Sequence, residues 1–196
     1  MKLTVFEKQE KRRNEIAVTV REFIMNSNFD NITVDDICTA TGIAKGTFYH
    51  YFSDKESLLT QVLYPIDDFF TSLESEFLQC EGFVDAIRLY AESYSTYITT
   101  CGLTMCRNVI LAMISSNNTN YISRDRRILY ILREIIEYWQ NKGEVTKEYS
   151  AEKMSDMFVV VLRGYLLHWY ASNGSYDFTQ AVTTHMRMMA LGLLRK

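Results

Sequence analysis

The stretch TVDDICTATGIAKGTFYHYFSDKESLL, residues 33–59, decides the fold of this chain. Thr33 is a favourable N-cap, and Asp36 stands three residues later, which predicts a capping box at the start of a short helix. Gly42 then interrupts the helical pattern, and glycine readily adopts the left-handed backbone of a tight turn. Phe48 and Phe52 lie four residues apart on the next predicted helix, so both point inward. The pattern predicts a helix-turn-helix.

The outward face of the second helix is polar and suited to DNA. Helical spacing places these residues there: Lys45, Gly46, Tyr49 and His50, with Thr47 at the edge. In a helix-turn-helix the second helix enters the major groove and its N-terminal residues meet base edges. Thr47 can bond a base or touch a thymine methyl, whereas Lys45, Tyr49 and His50 suit phosphate oxygens. The candidate DNA-binding residues are Thr33, Ala44, Lys45, Gly46, Thr47, Tyr49, His50 and Lys55.

A second cap pattern follows the helix-turn-helix. Ser53 and Glu56 have capping-box spacing, which places Lys55 in the first turn of a helix. The helix dipole disfavours a cation at that end, so a DNA phosphate would explain the lysine. The alternative is that Lys55 only balances the neighbouring carboxylates of Asp54 and Glu56.

The run TGIAKGTFYHYF at residues 41–52, followed by Lys55, Glu56, Leu58 and Leu59, resembles the DNA-binding signature of the TetR family of transcriptional regulators. The resemblance covers about the first 60 residues. It implies a helical homodimer, usually a repressor, whose C-terminal domain binds an effector and then releases the DNA.

Composition favours an almost entirely helical protein. The chain has 196 residues, one proline and eight glycines, and glycine and proline are the residues least compatible with helix interiors. We expect an all-α fold of about nine helices: a three-helix DNA-binding domain over residues 1–60 and a helical effector and dimerisation domain over residues 61–196. Pro65 falls between them, either as a hinge in a kinked helix or as the first residue of a new helix.

Charge and motifs exclude several classes of function. The net charge is −3, and residues 1–60 hold eight Lys or Arg against nine Asp or Glu, so DNA binding should depend on a few placed contacts. The chain lacks common catalytic motifs, which predicts no enzyme and no catalytic residues. Its four cysteines have no metal-ligand spacing, so we expect reduced thiols in a cytoplasmic protein with no metal and no cofactor. No apolar run is long enough to span a membrane.

Two C-terminal segments, about residues 151–171 and 177–194, are apolar on nearly every side. A helix of this kind must be covered on every side. The same two helices of a two-fold-related partner would provide the cover, and burial inside one protomer is the alternative. A homodimer predicts a pseudo-palindromic, double-stranded operator, because each protomer reads one half-site.

Aromatic and Met side chains of the C-terminal region form the candidate ligand site. Ordinary core packing explains most of them individually, but as a group they suit an apolar ligand with a few polar contacts. The candidates are Tyr90, Tyr94, Tyr97, Met105, Met113, Trp139, Phe158, Arg163, Tyr165, His168 and Trp169. The effector itself is not identified. The alternative function is a helix-turn-helix regulator or coactivator whose helical domain binds a protein partner and no small molecule.

Overall fold

A computed structural model describes residues 4–25, 27, 29–63, 65–114 and 126–195, with the backbone alone for residues 5–7, 60, 63, 112 and 113. Within these ranges the chain forms a 3-10 turn, Phe29–Asn31, and nine helices: α1 Val5–Met25, α2 Val34–Thr41, α3 Lys45–Tyr51, α4 Lys55–Leu63, α5 Pro65–Leu78, α6 Phe83–Ile114, α7 Arg127–Asn141, α8 Ala151–Ala171 and α9 Phe178–Gly192. The predicted all-α fold of about nine helices is confirmed. Among the described residues, no helix is both long and apolar enough to cross a bilayer.

The chain divides into two compact units. The first comprises Met1–Pro65 and Thr104–Ile122, and the second comprises Ile66–Leu103 and Ser123–Lys196. The helix α6 therefore contributes residues to both units. It is interrupted at Gly102, whose φ of 78° and ψ of 172° are not helical. The sequence analysis predicted two continuous domains, residues 1–60 and 61–196. In the structure the first unit consists of two separate segments of the chain, the second of which follows Gly102.

A small apolar core holds the first unit together. The side chains of Ile24, Ile37, Phe48 and Leu58 are inaccessible to solvent, and Phe52 is nearly so. They come from α1, α2, α3 and α4, so each short helix contributes to one core. Burial of such a shared face is what stabilises helices of seven to nine residues, which are marginal in isolation.

The second unit is built around stacked aromatic rings. Phe70 and Phe77 of α5 pack against Tyr90 of α6, with ring centroids 4.7 and 5.7 Å from the Tyr90 ring. Next to them, Asp67 accepts hydrogen bonds from the Arg126 guanidinium at 3.1 Å and from the backbone N–H of Ile128 at 2.9 Å. This network connects the first turn of α5 to the start of α7.

Pro65 is the first residue of α5, and α4 ends at Leu63. This placement agrees with the interpretation that the proline opens a new helix, where its missing N–H costs nothing. Tyr64, on which the predicted kink also depended, lies outside the described residues.

Candidate nucleic-acid interface

The helix α2 begins with the predicted reciprocal cap. The Asp36 N–H donates to Thr33 Oγ1 at 3.1 Å, and the Thr33 N–H donates to Asp36 Oδ2 at 2.9 Å. The Thr33 hydroxyl also donates to Asp36 Oδ2, at 2.6 Å. These hydrogen bonds to the ionised carboxylate lower the pKa of Asp36. Thr33 is exposed beside the helix-turn-helix, but its hydrogen-bonding groups already serve the cap.

The turn between α2 and α3 requires glycine for its backbone conformation. Gly42 has φ 67° and ψ 23°, and its N–H donates to the Cys38 carbonyl. A Cβ built at Gly42 meets no atom within 4 Å, so the left-handed φ, rather than space, selects glycine. The next residue, Ile43, also donates its N–H to the Cys38 carbonyl, at 3.2 Å. The turn thereby starts α3 directly after α2.

The short helix α3 presents one buried and one exposed face. Phe48 and Phe52 are buried, with ring centroids 5.5 Å apart, as predicted. The residues exposed on the other side are Ala44, Lys45, Gly46, Tyr49 and His50, with Thr47 half-buried. Nothing lies within 4 Å of a Cβ built at Gly46. The free protein thus gives no packing reason for this glycine, which leaves close approach to DNA as its predicted role.

Lys45 is held by an acidic residue that the sequence analysis did not pair with it. Its ammonium lies 2.9 Å from Asp35 Oδ1 and 3.1 Å from Asp35 Oδ2, and both side chains are exposed. The hydrogen bond and the charge of Asp35 raise the pKa of Lys45. Asp35 lies ten positions earlier, on α2, so no spacing rule within one helix could have found the pair. The first cation of α3 is therefore neutralised in the free protein.

Lys55 makes contacts within the protein that the sequence analysis did not predict. Its ammonium donates to the backbone carbonyl oxygens of Phe29 at 3.0 Å, Asp30 at 3.2 Å and Ile32 at 3.0 Å. It also lies 4.9 Å from the centre of the Phe29 ring. An ammonium has three N–H donors, and three carbonyls take them. Lys55 thus ties the start of α4 to the Phe29–Asn31 turn in the free protein, and its contact with a DNA phosphate stays a prediction.

The cap of α4 lies one residue later than predicted. Asp54, rather than Ser53, accepts the helical N–H of Ser57, at 2.7 Å. The Ser57 hydroxyl donates back to the Asp54 carbonyl at 2.8 Å, and the Ser53 hydroxyl donates to Asp54 Oδ2 at 3.0 Å. Because α4 begins at Lys55, the residue that precedes it must be the N-cap.

The predicted ligand residues do not form one group. Tyr90, Tyr94, Trp139, Phe158 and Trp169 are buried in the second unit. Met105 instead belongs to the first unit, and the Met113 side chain lies outside the described residues. The Tyr90 hydroxyl donates to the Ile128 carbonyl at 3.0 Å, and burial raises its pKa, so Tyr90 is committed to the core. Tyr97 is half-buried against the Phe69 ring.

The predicted polar contacts of the ligand site lie on the surface of α8 and α9. The Tyr165 hydroxyl is 3.2 Å from His185 Nδ1, and His168 Nδ1 is 3.2 Å from the Tyr176 hydroxyl. His168 is exposed, and Arg163 is half-buried. An open groove of about 370 Å³ beside them is lined by Tyr165, Tyr176, Gln180, Thr184, His185 and Met188. Tyr165 and His168 therefore pair with side chains at the surface rather than with the aromatic core.

Large apolar side chains form an exposed stripe along the same two helices. Their exposed fractions run from 43% to 66%, and they are Met157, Val160 and Leu167 on α8 and Met188 and Leu191 on α9. On the opposite side of α8, Phe158, Leu162 and Leu166 are buried. The two helices are thus apolar on both sides, and the described residues of the protomer cover only one.

The helix-turn-helix has recognisable relatives. The family profile described as bacterial regulatory proteins, tetR family, matches residues 16–62. The HTH-type transcriptional regulator EthR of Mycolicibacterium smegmatis is 34% identical over 55 residues, which are 28% of this chain and 25% of the relative. The match therefore covers only about a quarter of the length of this curated relative.

Solved structures are similar over nearly the whole chain. FadR from Bacillus subtilis, in complex with stearoyl-CoA, superposes with a TM-score of 0.75 at 17% identity and covers 91% of this chain and 98% of its own. FadR from Thermus thermophilus, a TetR-family repressor in complex with lauroyl-CoA, has a TM-score of 0.72 at 18% identity and covers 95% and 96%. The matched relative and both FadR proteins are described as transcriptional regulators. Residues 16–62 of this chain are therefore similar to the DNA-binding domain of the TetR family of bacterial regulatory proteins, and its all-helical fold is similar to that of the FadR structures.

Proposed function

We propose that the protein is a sequence-specific repressor that reads operator DNA with α3 and leaves it when a small molecule binds the second unit. The observation that carries the proposal is the composition of α3. Phe48 and Phe52 fasten the helix to the core, while Lys45, Gly46, Tyr49 and His50 remain exposed. A short helix with this division can enter the major groove without losing its own packing.

The species that binds DNA is a homodimer formed through α8 and α9. The exposed apolar stripe on these helices supports this arrangement, because exposed apolar side chains grouped on two helices suit a protein interface. A two-fold partner would bring the same side chains and build a four-helix seam. The operator is then double-stranded and pseudo-palindromic. Its binding to chromosomal DNA implies a cytoplasmic protein.

Acyl-CoA thioesters are the first effector class to test. Two structures with the same fold hold stearoyl-CoA and lauroyl-CoA, and their similarity to this chain is not limited to the helix-turn-helix. The second unit of this protein offers a large apolar and aromatic interior around Tyr94, Phe158, Trp169 and Phe178. An acyl chain would find apolar contacts among such side chains.

The DNA half of the proposal is tested by fluorescence anisotropy. The labelled duplex comes from the region upstream of the protein's own gene, and unrelated duplex competes at about 0.15 M salt. We expect a competitor-resistant complex of one dimer per pseudo-palindrome, lost when one half-site is scrambled. If genome-wide selection of bound fragments also returns no preferred site, the proposal is wrong.

The effector half uses the same complex. Stearoyl-CoA or lauroyl-CoA should release the labelled duplex and raise the melting temperature, because a ligand stabilises the state that binds it. Coenzyme A without an acyl chain is the control. If neither thioester changes the DNA complex or the melting temperature, this effector class is wrong. Broader small-molecule screening that also fails would favour the alternative regulator, whose helical domain binds a protein.

A further inference from the structure

The segment of residues 104–114, here called the inserted segment, links the two units through the chain itself. It forms the end of α6 and belongs to the first unit, although the earlier part of α6 belongs to the second. The backbone changes direction at Gly102, where φ is 78° and ψ is 172°. This conformation is accessible essentially to glycine alone. The DNA-binding unit thus contains a piece of helix from outside the helix-turn-helix.

Asn108 fastens the inserted segment to the end of α1. Its side chain is completely buried, and its Nδ2 donates to the carbonyl oxygens of Ile24 at 3.0 Å and Ser27 at 3.5 Å. Ile24 lies in the last turn of α1, where carbonyls have no partner within the helix. The neighbouring Met105 and Val109 are buried and apolar. Burying a polar group is costly unless it is bonded. Among the described residues only the Nδ2 of this amide has partners, so its two hydrogen bonds define one position of the segment.

Arg107, the adjacent residue, makes a second attachment. Its guanidinium forms an ion pair with the Asp30 carboxylate, and the arginine side chain is only 25% exposed. Asp30 is the middle residue of the Phe29–Asn31 turn. The carbonyls of Phe29, Asp30 and Ile32 also bind the Lys55 ammonium. The turn is therefore held from two sides, by the inserted segment and by α4.

The position of this turn connects it to the DNA-reading helices. Thr33, the N-cap of α2, comes two residues after Asn31, and α2 leads directly through Gly42 into α3. Lys55, which also binds the turn, is the first residue of α4, the helix that follows α3 in the chain. Displacing the turn would therefore move the start of α2 and the start of α4, between which α3 lies in the chain.

We infer that Asn108 and Arg107 are positioning residues for DNA binding, which hold the Phe29–Asn31 turn and thereby orient α3 for the operator. The inference rests on the proposed DNA-binding function. Neither residue lies on α3, so both would act through the helix-turn-helix. Their loss should reduce the preference for the operator more than the general attraction to phosphates, because the basic and polar side chains of α3 remain in place.

The experiment combines a charge swap with a shape-preserving change. Arg107→Glu and Asp30→Arg are made singly and together, and Asn108→Leu keeps a similar side-chain volume without the amide. Each variant is titrated with operator and with unrelated duplex, and amide hydrogen exchange is followed over residues 29–41. Arg88→Glu is the control, since Arg88 pairs with Glu92 on the exposed surface of the second unit.

We expect each single charge reversal and Asn108→Leu to lower the ratio of operator affinity to unrelated-duplex affinity about tenfold, the size of one lost hydrogen bond. Exchange should increase at the turn and in the first turn of α2. The double variant should recover most of the affinity and protection, and Arg88→Glu should change neither.

Two outcomes overturn the inference. If the folded variants keep the wild-type preference for the operator and only melt at lower temperature, Asn108 and Arg107 are merely structural. If the charge swap restores nothing, the ion pair does not position the turn. Failure of the wild-type protein to prefer any DNA would instead refute the proposed function itself, and the inference with it.

Discussion

The protein exposes two faces of opposite chemistry, on α3 and on the pair α8 and α9. The α3 face is small and polar, with a cation, a phenol, an imidazole and a glycine beside one another. The α8–α9 face is an apolar stripe in which Val160 and Met188 are each 66% exposed. A polar face suits a partner that keeps its water and charge, such as DNA, whereas an apolar stripe suits a protein surface that excludes water.

The comparison also shows how each face is kept in place. On α3, the inward rings of Phe48 and Phe52 anchor the helix, and a partner is not needed for its packing. On α8, Phe158, Leu162 and Leu166 anchor the inner side, and the exposed stripe adds apolar surface that the core does not use. Each helix is therefore anchored by buried side chains, and its exposed face is available to a partner.

The largest expected effect comes from a charge in the apolar stripe. Val160→Glu should weaken dimerisation about 100-fold or more, because an uncompensated buried charge costs about 3–5 kcal/mol. Sedimentation velocity across a concentration series measures the change. Val18→Glu is the matched control, since Val18 is also 66% exposed but lies on α1. An unchanged dimer for the α8 variant would move the interface elsewhere.

The second test concerns what supports the α3 face. Lys55→Met keeps the side-chain stem but leaves three carbonyls without the ammonium, which should lower the free energy of unfolding by about 1–3 kcal/mol. Urea unfolding measures it, with Lys45→Met as an exposed control. Unchanged stability together with a flatter salt dependence of DNA binding would instead support the phosphate contact predicted for Lys55.

Thr47 should determine sequence preference at one base pair. Thr47→Val keeps the shape but removes the hydroxyl, and loss of one base contact changes discrimination by about 1–3 kcal/mol at that position. Selection of bound sequences from random DNA, compared between wild type and variant, measures this. An identical selected site for both proteins would exclude a base-reading role for the Thr47 hydroxyl.

Tyr49 should contribute affinity without sequence preference. Tyr49→Ala removes an exposed phenol from the α3 face, and we expect binding about tenfold weaker for operator and unrelated duplex alike, as for one lost phosphate hydrogen bond. Anisotropy titrations of both duplexes measure the effect. Tyr149→Ala, an exposed tyrosine in the second unit, should bind as the wild type does. A loss confined to the operator would instead make Tyr49 a base contact.

The smallest expected effect comes from the acidic partner of Lys45. Asp35→Asn removes the charge that neutralises Lys45, so unrelated DNA should bind about two- to threefold more tightly, in line with the small strength of exposed ion pairs. The slope of affinity against salt should steepen by about one unit, as one more cation becomes available to phosphates. Thr39→Ser on the same helix is the control. A slope equal to that of the wild type would show that Lys45 does not contact phosphate.

Much of the helix-turn-helix could be predicted because its determinants are local. The Thr33–Asp36 cap, the left-handed Gly42 and the inward pair Phe48 and Phe52 each involve residues at most four positions apart or a single backbone angle. The cap at Ser53 was misplaced by one residue, since Ser53 and Asp54 are both good caps and only the helix start distinguishes them. The aromatic group predicted for a ligand divided into core and surface residues, because composition does not specify which side chains pack together.

The sequence by itself determined the all-helical fold, the helix-turn-helix and the side of α3 that faces outward, because helical spacing, caps and turns depend on near neighbours in the chain. Only the tertiary structure decided that Lys55 binds the Phe29–Asn31 turn, that Asp35 pairs with Lys45 and that Asn108 binds the end of α1 in the first unit. These contacts join residues on different elements, 10 to 84 positions apart. No local pattern encodes such pairs, since they form only once the helices have packed.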